Sequence, residues 1–133
     1  MTSSHSIAVS VVFALGLGFI SVASADSASD ACAALANART ALYSMINAKD
    51  KSAQDALNAK VQEATTKLES VLASMTGANV AADFKALWDQ FKATRDNQII
   101  PAIYKGNADE AKKIADGIQF ERLSKMWSIM SCR

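Results

Sequence analysis

Three arginines lie at positions where the helical pattern of this chain calls for apolar residues. Arg39, Arg95 and Arg122 each interrupt the apolar stripe of a different helical segment. A guanidinium group is always charged and can hold a carboxylate or a phosphate through paired N–H donors. Burying three such cations without an anion would be prohibitive. Either the side chains reach the surface or pair with carboxylates such as Glu121, or they surround a bound anion.

The three arginines also occur at similar heights along the predicted helices. Counted from the end of the bundle that carries the two cysteines, at about 1.5 Å per residue, they fall within about 10 Å of one another along the axis. Gln98 follows Arg95 on the same stripe. The pattern therefore predicts a ligand-binding site formed by Arg39, Arg95, Arg122 and Gln98.

Other chemistry has little support in the sequence. The single histidine, His5, lies in a segment that we expect to be removed, so no imidazole remains for catalysis or for metal or haem ligation. The chain has no Cys-x-x-Cys-His motif, no glycine-rich phosphate loop and no Glu-x-x-His motif. We therefore expect no catalytic residue, no metal site and no cofactor. The 14 basic and 13 acidic residues nearly cancel, which argues against nucleic-acid binding.

The first 25 residues have the features of a secretory signal peptide. Residues 7–22 form an apolar run, and Ala23-Ser24-Ala25 matches the small-residue pattern at which signal peptidase cleaves. Cleavage would leave residues 26–133 as one domain in the periplasm. The alternative is a retained membrane anchor, although the run is short for a span of about 20 residues.

Export implies an oxidising compartment, in which cysteines commonly pair. The chain has two cysteines, Cys32 near the start of the expected mature protein and Cys132 near its end. We predict an intramolecular disulfide between them. Two free buried thiols or an intermolecular bridge are the alternatives.

The composition after residue 25 predicts an all-α fold. Alanine, lysine, aspartate and glutamine are frequent, and apolar residues recur at helical spacing rather than in alternation. Short polar joints separate four segments of about 20 to 25 residues each. Segments of this length with short connections predict an antiparallel, up-down-up-down four-helix bundle. This topology brings Cys32 and Cys132 to the same end.

The expected helix boundaries follow from capping and turn residues. Ser29 or Asp30 would cap the first helix, and Asn107 would cap the fourth. The turns are expected at 49–52, 76–79 and 105–107. Pro101, one turn before the last of these, is expected to bend the end of the third helix. The first helix should run to about residue 47, the second from 53 to about 75, the third from 80 to about 104, and the fourth from 108.

The last third to half of the chain resembles the second half of the periplasmic four-helix-bundle sensor domains of bacterial chemoreceptors. The resemblance lies in the stretch FKALWDQFKATRDNQIIPAIYKGNADEAKKIADGIQFERLSKM, through Trp-x-x-Phe-Lys-x-x-Arg, Ile-Ile-Pro-Ala-Ile, the glycine turn before Glu-Ala, and Gly-Ile-Gln-x-x-Arg. It implies a domain that recognises small molecules and often forms a homodimer. Because the chain ends at Arg133, without a second membrane helix, we expect a membrane receptor or another periplasmic protein to read its state.

A weaker resemblance is to the small four-helix b-type cytochrome of the periplasm. It covers Asp83-Phe84-Lys85 and residues 106–122, but Met126 stands where the haem histidine would be. The sequence thus favours a non-enzymatic, sensor-like bundle that binds a small anionic ligand. A redox or metal-handling bundle with altered or lost haem ligation is the alternative, and an interaction protein without a small ligand is a third possibility.

Overall fold

The computed structural model describes the backbone of residues 7–75 and 79–132 and the side chains of 27–75 and 79–132. These residues form an all-α bundle, as predicted, and contain no β-strand. Its helices are α1 (Ile7–Asn47), α2 (Lys51–Ser74), α3 (Asn79–Thr94), a π-helical segment (Arg95–Ile99), α4 (Ile100–Tyr104), α5 (Ala108–Asp116) and α6 (Ile118–Ile129). Residues 79–104 form one continuous helical rod, and α5 and α6 form another, so the described residues make four rods.

Most predicted helix ends agree with the structure. Helix α1 ends at Asn47, and Asp50 caps α2 by accepting a hydrogen bond from the Ala53 amide at 2.8 Å. Gly106 adopts a φ of 79°, a left-handed conformation that favours glycine in this turn. Asn107 precedes α5 but makes no side-chain capping bond.

Three expectations concern residues near or beyond the ends of the described segments. The predicted cap at Ser29 or Asp30 is wrong for this chain, because α1 runs continuously through both residues from Ile7. The side chains of the apolar run at 7–22 and of the expected cleavage site lie outside the described residues. The predicted turn after α2 does so as well, at residues 76–78.

The fourth predicted helix is interrupted at Gly117. The sequence pattern predicted a single helix after Asn107, but a turn at Gly117 separates α5 from α6. A Cβ atom at this position would lie 3.1 Å from the Lys113 carbonyl oxygen, a tight contact that glycine avoids. Because of this interruption, α5 ends at Asp116 and α6 begins as a separate helix at Ile118.

In two pairs of neighbouring rods, successive contacts run in opposite directions along the chain. Asp55 contacts Tyr104, whereas Thr65, ten residues later, contacts Arg95. On the other side of the bundle, Tyr43 contacts Asp116, and Cys32, which precedes Tyr43, contacts Cys132. In both cases one residue number rises as the other falls.

The core is apolar and draws on all four rods. Leu35, Leu68, Phe84, Trp88 and Met126 are each at most 1% exposed. Trp88 stacks on Phe91 with ring centroids 5.6 Å apart. Among residues with described side chains, no helix has the length and hydropathy needed to cross a bilayer.

The predicted disulfide between Cys32 and Cys132 is present. The two Cα atoms are 5.6 Å apart and the cysteines are separated by 100 residues in sequence. In the chain-entropy account, closing so long a loop lowers the entropy of the unfolded chain and stabilises the fold by about 4 kcal/mol. The bridge also holds α1 beside the end of α6.

Candidate functional site

Arg95 is a fully buried arginine in the interface between α2 and the third rod. Its side chain is 1% exposed, and its guanidinium carbon lies 5.7 Å from the ring centroid of Trp88. Nη1 donates to the Thr65 hydroxyl at 2.7 Å, and Nε donates to Asp96 at 2.9 Å. Nη2 is buried without a hydrogen-bond partner among the described residues. The side chain is thus held within the protein, with one donor group unsatisfied.

The π-helical segment that begins at Arg95 has a local cause. Pro101 has no N–H to donate, and in a regular α-helix its ring would collide with the carbonyl group four residues earlier. A wider π turn before the proline relieves this conflict, and here the Ile100 amide donates to the Arg95 carbonyl, five residues back. The proline therefore accounts for a change of helix type, which the expectation of a bend did not include.

Arg122 belongs to a polar network between α3 and α6. Its Nη1 group donates to the Thr94 hydroxyl at 2.7 Å and to Gln119 Oε1 at 3.0 Å. Gln119 is only 2% exposed, and its Nε2 donates to the Phe91 carbonyl at 2.8 Å. Arg122 thus donates a hydrogen bond to a buried amide oxygen that would otherwise have no partner among the described residues, and this role is structural.

Arg39 is exposed and lies on α1, beside the end of α5. Its guanidinium carbon is 5.2 Å from the ring centroid of Tyr43, one turn later. The Tyr43 hydroxyl donates to Asp116 at 2.6 Å, which ties α1 to the last residue of α5. Partial burial, followed by this hydrogen bond, raises the pKa of Tyr43 to about 12. The same bond, together with one from Lys112, lowers the pKa of Asp116.

The four residues predicted to form one site therefore occupy separate environments. The predicted inward orientation is correct for Arg95 but wrong for Arg39 and Gln98, which are exposed. Arg122 is half-buried and faces Thr94 and Gln119. Helical spacing alone cannot say how far a long side chain extends toward solvent. Arg39 lines an open groove between α1 and α6.

We call this cavity the α1–α6 groove. It has a volume of about 350 Å³, within the usual range for small-molecule sites. Its lining combines one cation, two hydroxyl groups and a largely apolar wall: Ala36, Arg39, Thr40, Phe120, Leu123, Ser124 and Trp127. Of these seven residues, only Arg39 was among the predicted site residues. Phe120 carried a signal that could have been recognised in the sequence, because a large aromatic on the polar side of a helix, here 50% exposed, is unusual.

Two other grooves are less suited to a single anion. The groove between α1 and α2 is lined by charges of both signs, Lys60, Glu63 and Lys67. The groove between α2 and α3 contains Glu69 and Lys92, which form a salt bridge with each other. The pKa of Glu69 is lowered, chiefly by its hydrogen bond from Lys92, so this pair is already mutually satisfied. The α1–α6 groove differs in having one cation and no acidic residue in its lining.

The described part of the chain contains no group of side chains arranged to bind a metal ion. No three His, Cys, Asp or Glu side chains there are grouped so that they could hold an ion. Met126 and Met130 are buried in the apolar core. Both cysteines are bonded to each other.

Comparisons with protein-family models, with curated proteins and with solved structures found no match to this chain. The resemblance to chemoreceptor sensor domains therefore rests on the sequence features alone.

Replacing Arg122 tests its structural role. We expect Arg122→Leu to lower the free energy of unfolding by about 1–3 kcal/mol, because Gln119 Oε1 would be left buried without its donor. The measurement is chemical denaturation, monitored by the helical signal in far-ultraviolet circular dichroism. Lys125→Leu, which removes an exposed cation from the same helix, is the control and should change stability by no more than about 0.5 kcal/mol.

A double-mutant cycle with Gln119→Leu makes this test specific. If the two side chains depend on each other, the double variant should be more stable than the sum of the single effects by at least about 0.5 kcal/mol. If the effects of the two substitutions on stability simply add, the hydrogen bond between Arg122 and Gln119 does not couple the two side chains.

The link between Tyr43 and Asp116 predicts a change of stability at high pH. A raised pKa means that the folded state favours neutral Tyr43, so this contribution is complete below pH 10 and is lost as the pH rises to about 12. The chain has only two tyrosines. In a Tyr104→Phe variant, absorbance at 295 nm should therefore report the ionisation of Tyr43 alone, with a midpoint near 12. A midpoint at the ordinary value of 10.0 would contradict the hydrogen bond.

Proposed function

We propose that this protein is a non-enzymatic binding module that receives a small organic anion in the α1–α6 groove. The proposal rests on the charge of the lining, in which Arg39 is the one charged residue among seven. A guanidinium group forms charge-assisted hydrogen bonds with a carboxylate. Asp116 interacts electrostatically with Arg39 but lies outside the lining, and its carboxylate accepts hydrogen bonds from Tyr43 and Lys112. The groove therefore favours an anion over a cation or a neutral molecule.

The surroundings of Arg39 support this role. The guanidinium group packs against Tyr43, which is itself held by Asp116 on the opposite helix. A side chain that is already oriented loses less conformational entropy when a ligand binds. The disulfide holds α1, at Cys32, beside the end of α6. Ligand affinity would thus not depend on bringing the two walls together.

We further propose a sensor-like role, following the resemblance to chemoreceptor sensor domains. The groove is made by two separate helices, so a ligand that contacts both would favour one arrangement of α1 relative to α6. A partner would then bind preferentially to that arrangement. The partner could be a membrane receptor, another periplasmic protein or a second copy of this chain.

Export to the periplasm is part of the same proposal. Its support is the apolar run followed by Ala23-Ser24-Ala25, together with a disulfide of the kind that oxidising compartments maintain.

The mass of exported material tests this part. When the 133-residue chain is expressed in a Gram-negative host, we expect the periplasmic protein to begin at Asp26. Its intact mass should be two hydrogens below that of the reduced chain, and alkylation should label it only after reduction. A chain that keeps residues 1–25, or a pair of cysteines that alkylates without reduction, would contradict the proposal.

Replacing Arg39 tests the binding function. Titration calorimetry with a panel of monocarboxylates, both aliphatic and aromatic, should identify at least one that binds. Arg39→Gln should weaken its binding by at least about tenfold, since a hydrogen bond to a charged group contributes about 1.5–3 kcal/mol. Because Arg39 is exposed, the variant should keep its helical signal.

Lys49→Gln is the matched control for the loss of one positive charge. Lys49 is exposed in the joint between α1 and α2 and does not line the groove. This variant should bind as the unmodified protein does. Binding that is equal in both variants, or absent for every carboxylate, would refute the proposed function.

A further inference from the structure

The α1–α6 groove has an apolar wall that a simple anion would leave uncovered. Phe120, Leu123 and Trp127 form this wall on α6, and Ala36 faces them from α1. Phe120 is 50% exposed, whereas Leu123 beside it is only 9% exposed. An exposed phenyl ring is unfavourable in water, and an aromatic guest can cover it with offset or edge-to-face contacts. The wall therefore favours a ligand that contains a ring.

The polar part of the groove carries donors that are not used within the protein. Thr40 and Ser124 make no hydrogen bond to another described side chain or carbonyl group, whereas the hydroxyls of Thr65, Thr66 and Ser74 donate to carbonyls of their own helix. Thr40 follows Arg39 on α1, and Ser124 lies on the facing helix. The guanidinium group and these two hydroxyls can all donate to carboxylate oxygens.

The charge and the size of the groove restrict the ligand further. A single cation compensates one negative charge, so a dicarboxylate or a phosphate monoester would carry excess charge into the groove. A closed cavity of about 150 Å³ is enough to hold benzene. The volume of about 350 Å³ therefore has room for one aromatic ring with a carboxylate attached to it.

We infer that the α1–α6 groove binds an aromatic monocarboxylate. The ring lies against Phe120, Leu123 and Trp127, and the carboxylate accepts hydrogen bonds from Arg39, Thr40 and Ser124. This inference rests on the proposed function and adds the chemical class of the ligand.

Four probes separate the contributions of ring and charge in titration calorimetry. Benzoate carries both, acetate lacks the ring, benzyl alcohol lacks the charge, and succinate carries a second charge. We expect benzoate to bind at least about tenfold more tightly than each of the other three. Arg39→Gln should weaken benzoate and acetate alike, because both rely on the guanidinium group.

Phe120→Leu tests the ring contact without disturbing the core, because this side chain is half-exposed. We expect it to weaken benzoate at least about fivefold and to leave acetate unchanged. Ile118→Ala is the matched control, since Ile118 is 45% exposed on the same helix but does not line the groove. Benzoate should bind this variant normally.

The outcomes separate the two proposals. If acetate or succinate binds as tightly as benzoate and Arg39→Gln weakens it, the aromatic class is wrong while anion binding stands. Equal binding of benzoate to Phe120→Leu and the unmodified protein also overturns the aromatic assignment. If no carboxylate binds, or if Arg39→Gln has no effect, the proposed function fails and this inference fails with it.

Discussion

A covalent link between the first and the last helix is the constraint on which the candidate site depends. The groove has one wall on α1 and the other on α6, which are far apart in sequence. The bridge from Cys32 to Cys132 holds these helices together at one end, and the contact between Tyr43 and Asp116 joins the same two rods further along. These two connections limit how far the two helices can separate. The lining side chains can therefore keep their relative positions in the absence of ligand.

The buried Arg95 shows a different use of polar groups. Its charge is costly to bury, and one of its donor groups remains unsatisfied. An apolar side chain of similar volume would often be at least as stable in such a place. However, the bond to Thr65 forms only when α2 and the third rod are in one register. We therefore interpret this arginine as a residue that selects the alignment of two helices at some cost in stability.

Much of the fold could be predicted from the sequence, because apolar periodicity, short joints and the positions of two cysteines all indicate the same bundle. The break at Gly117 could not, since a single glycine within an otherwise helical pattern is often tolerated. The π-helical segment was also missed, because a proline near a helix end more commonly produces a bend. Both features change the local rotation of the helix, which a fixed angle of 100° per residue cannot represent.

The candidate site was only partly predictable for a related reason. Periodicity identified Arg39 as unusual but suggested that it faces the core, whereas the structure places it at the surface beside Phe120. The hydroxyls of Thr40 and Ser124 are ordinary surface groups until the two helices are seen together. Their significance comes from tertiary proximity, which one sequence does not contain.

The environments of the two tryptophans give the molecule a pair of internal optical reporters. Trp88 is 1% exposed, stacks on Phe91 and lies beside the Arg95 guanidinium group, so its emission depends on an intact core. Trp127 is only partly buried and lines the groove, so its emission depends on what occupies that space. Because the chain contains no other tryptophan, removing either one leaves a spectrum with a single origin. Unfolding and occupancy can thus be followed separately without attaching a dye.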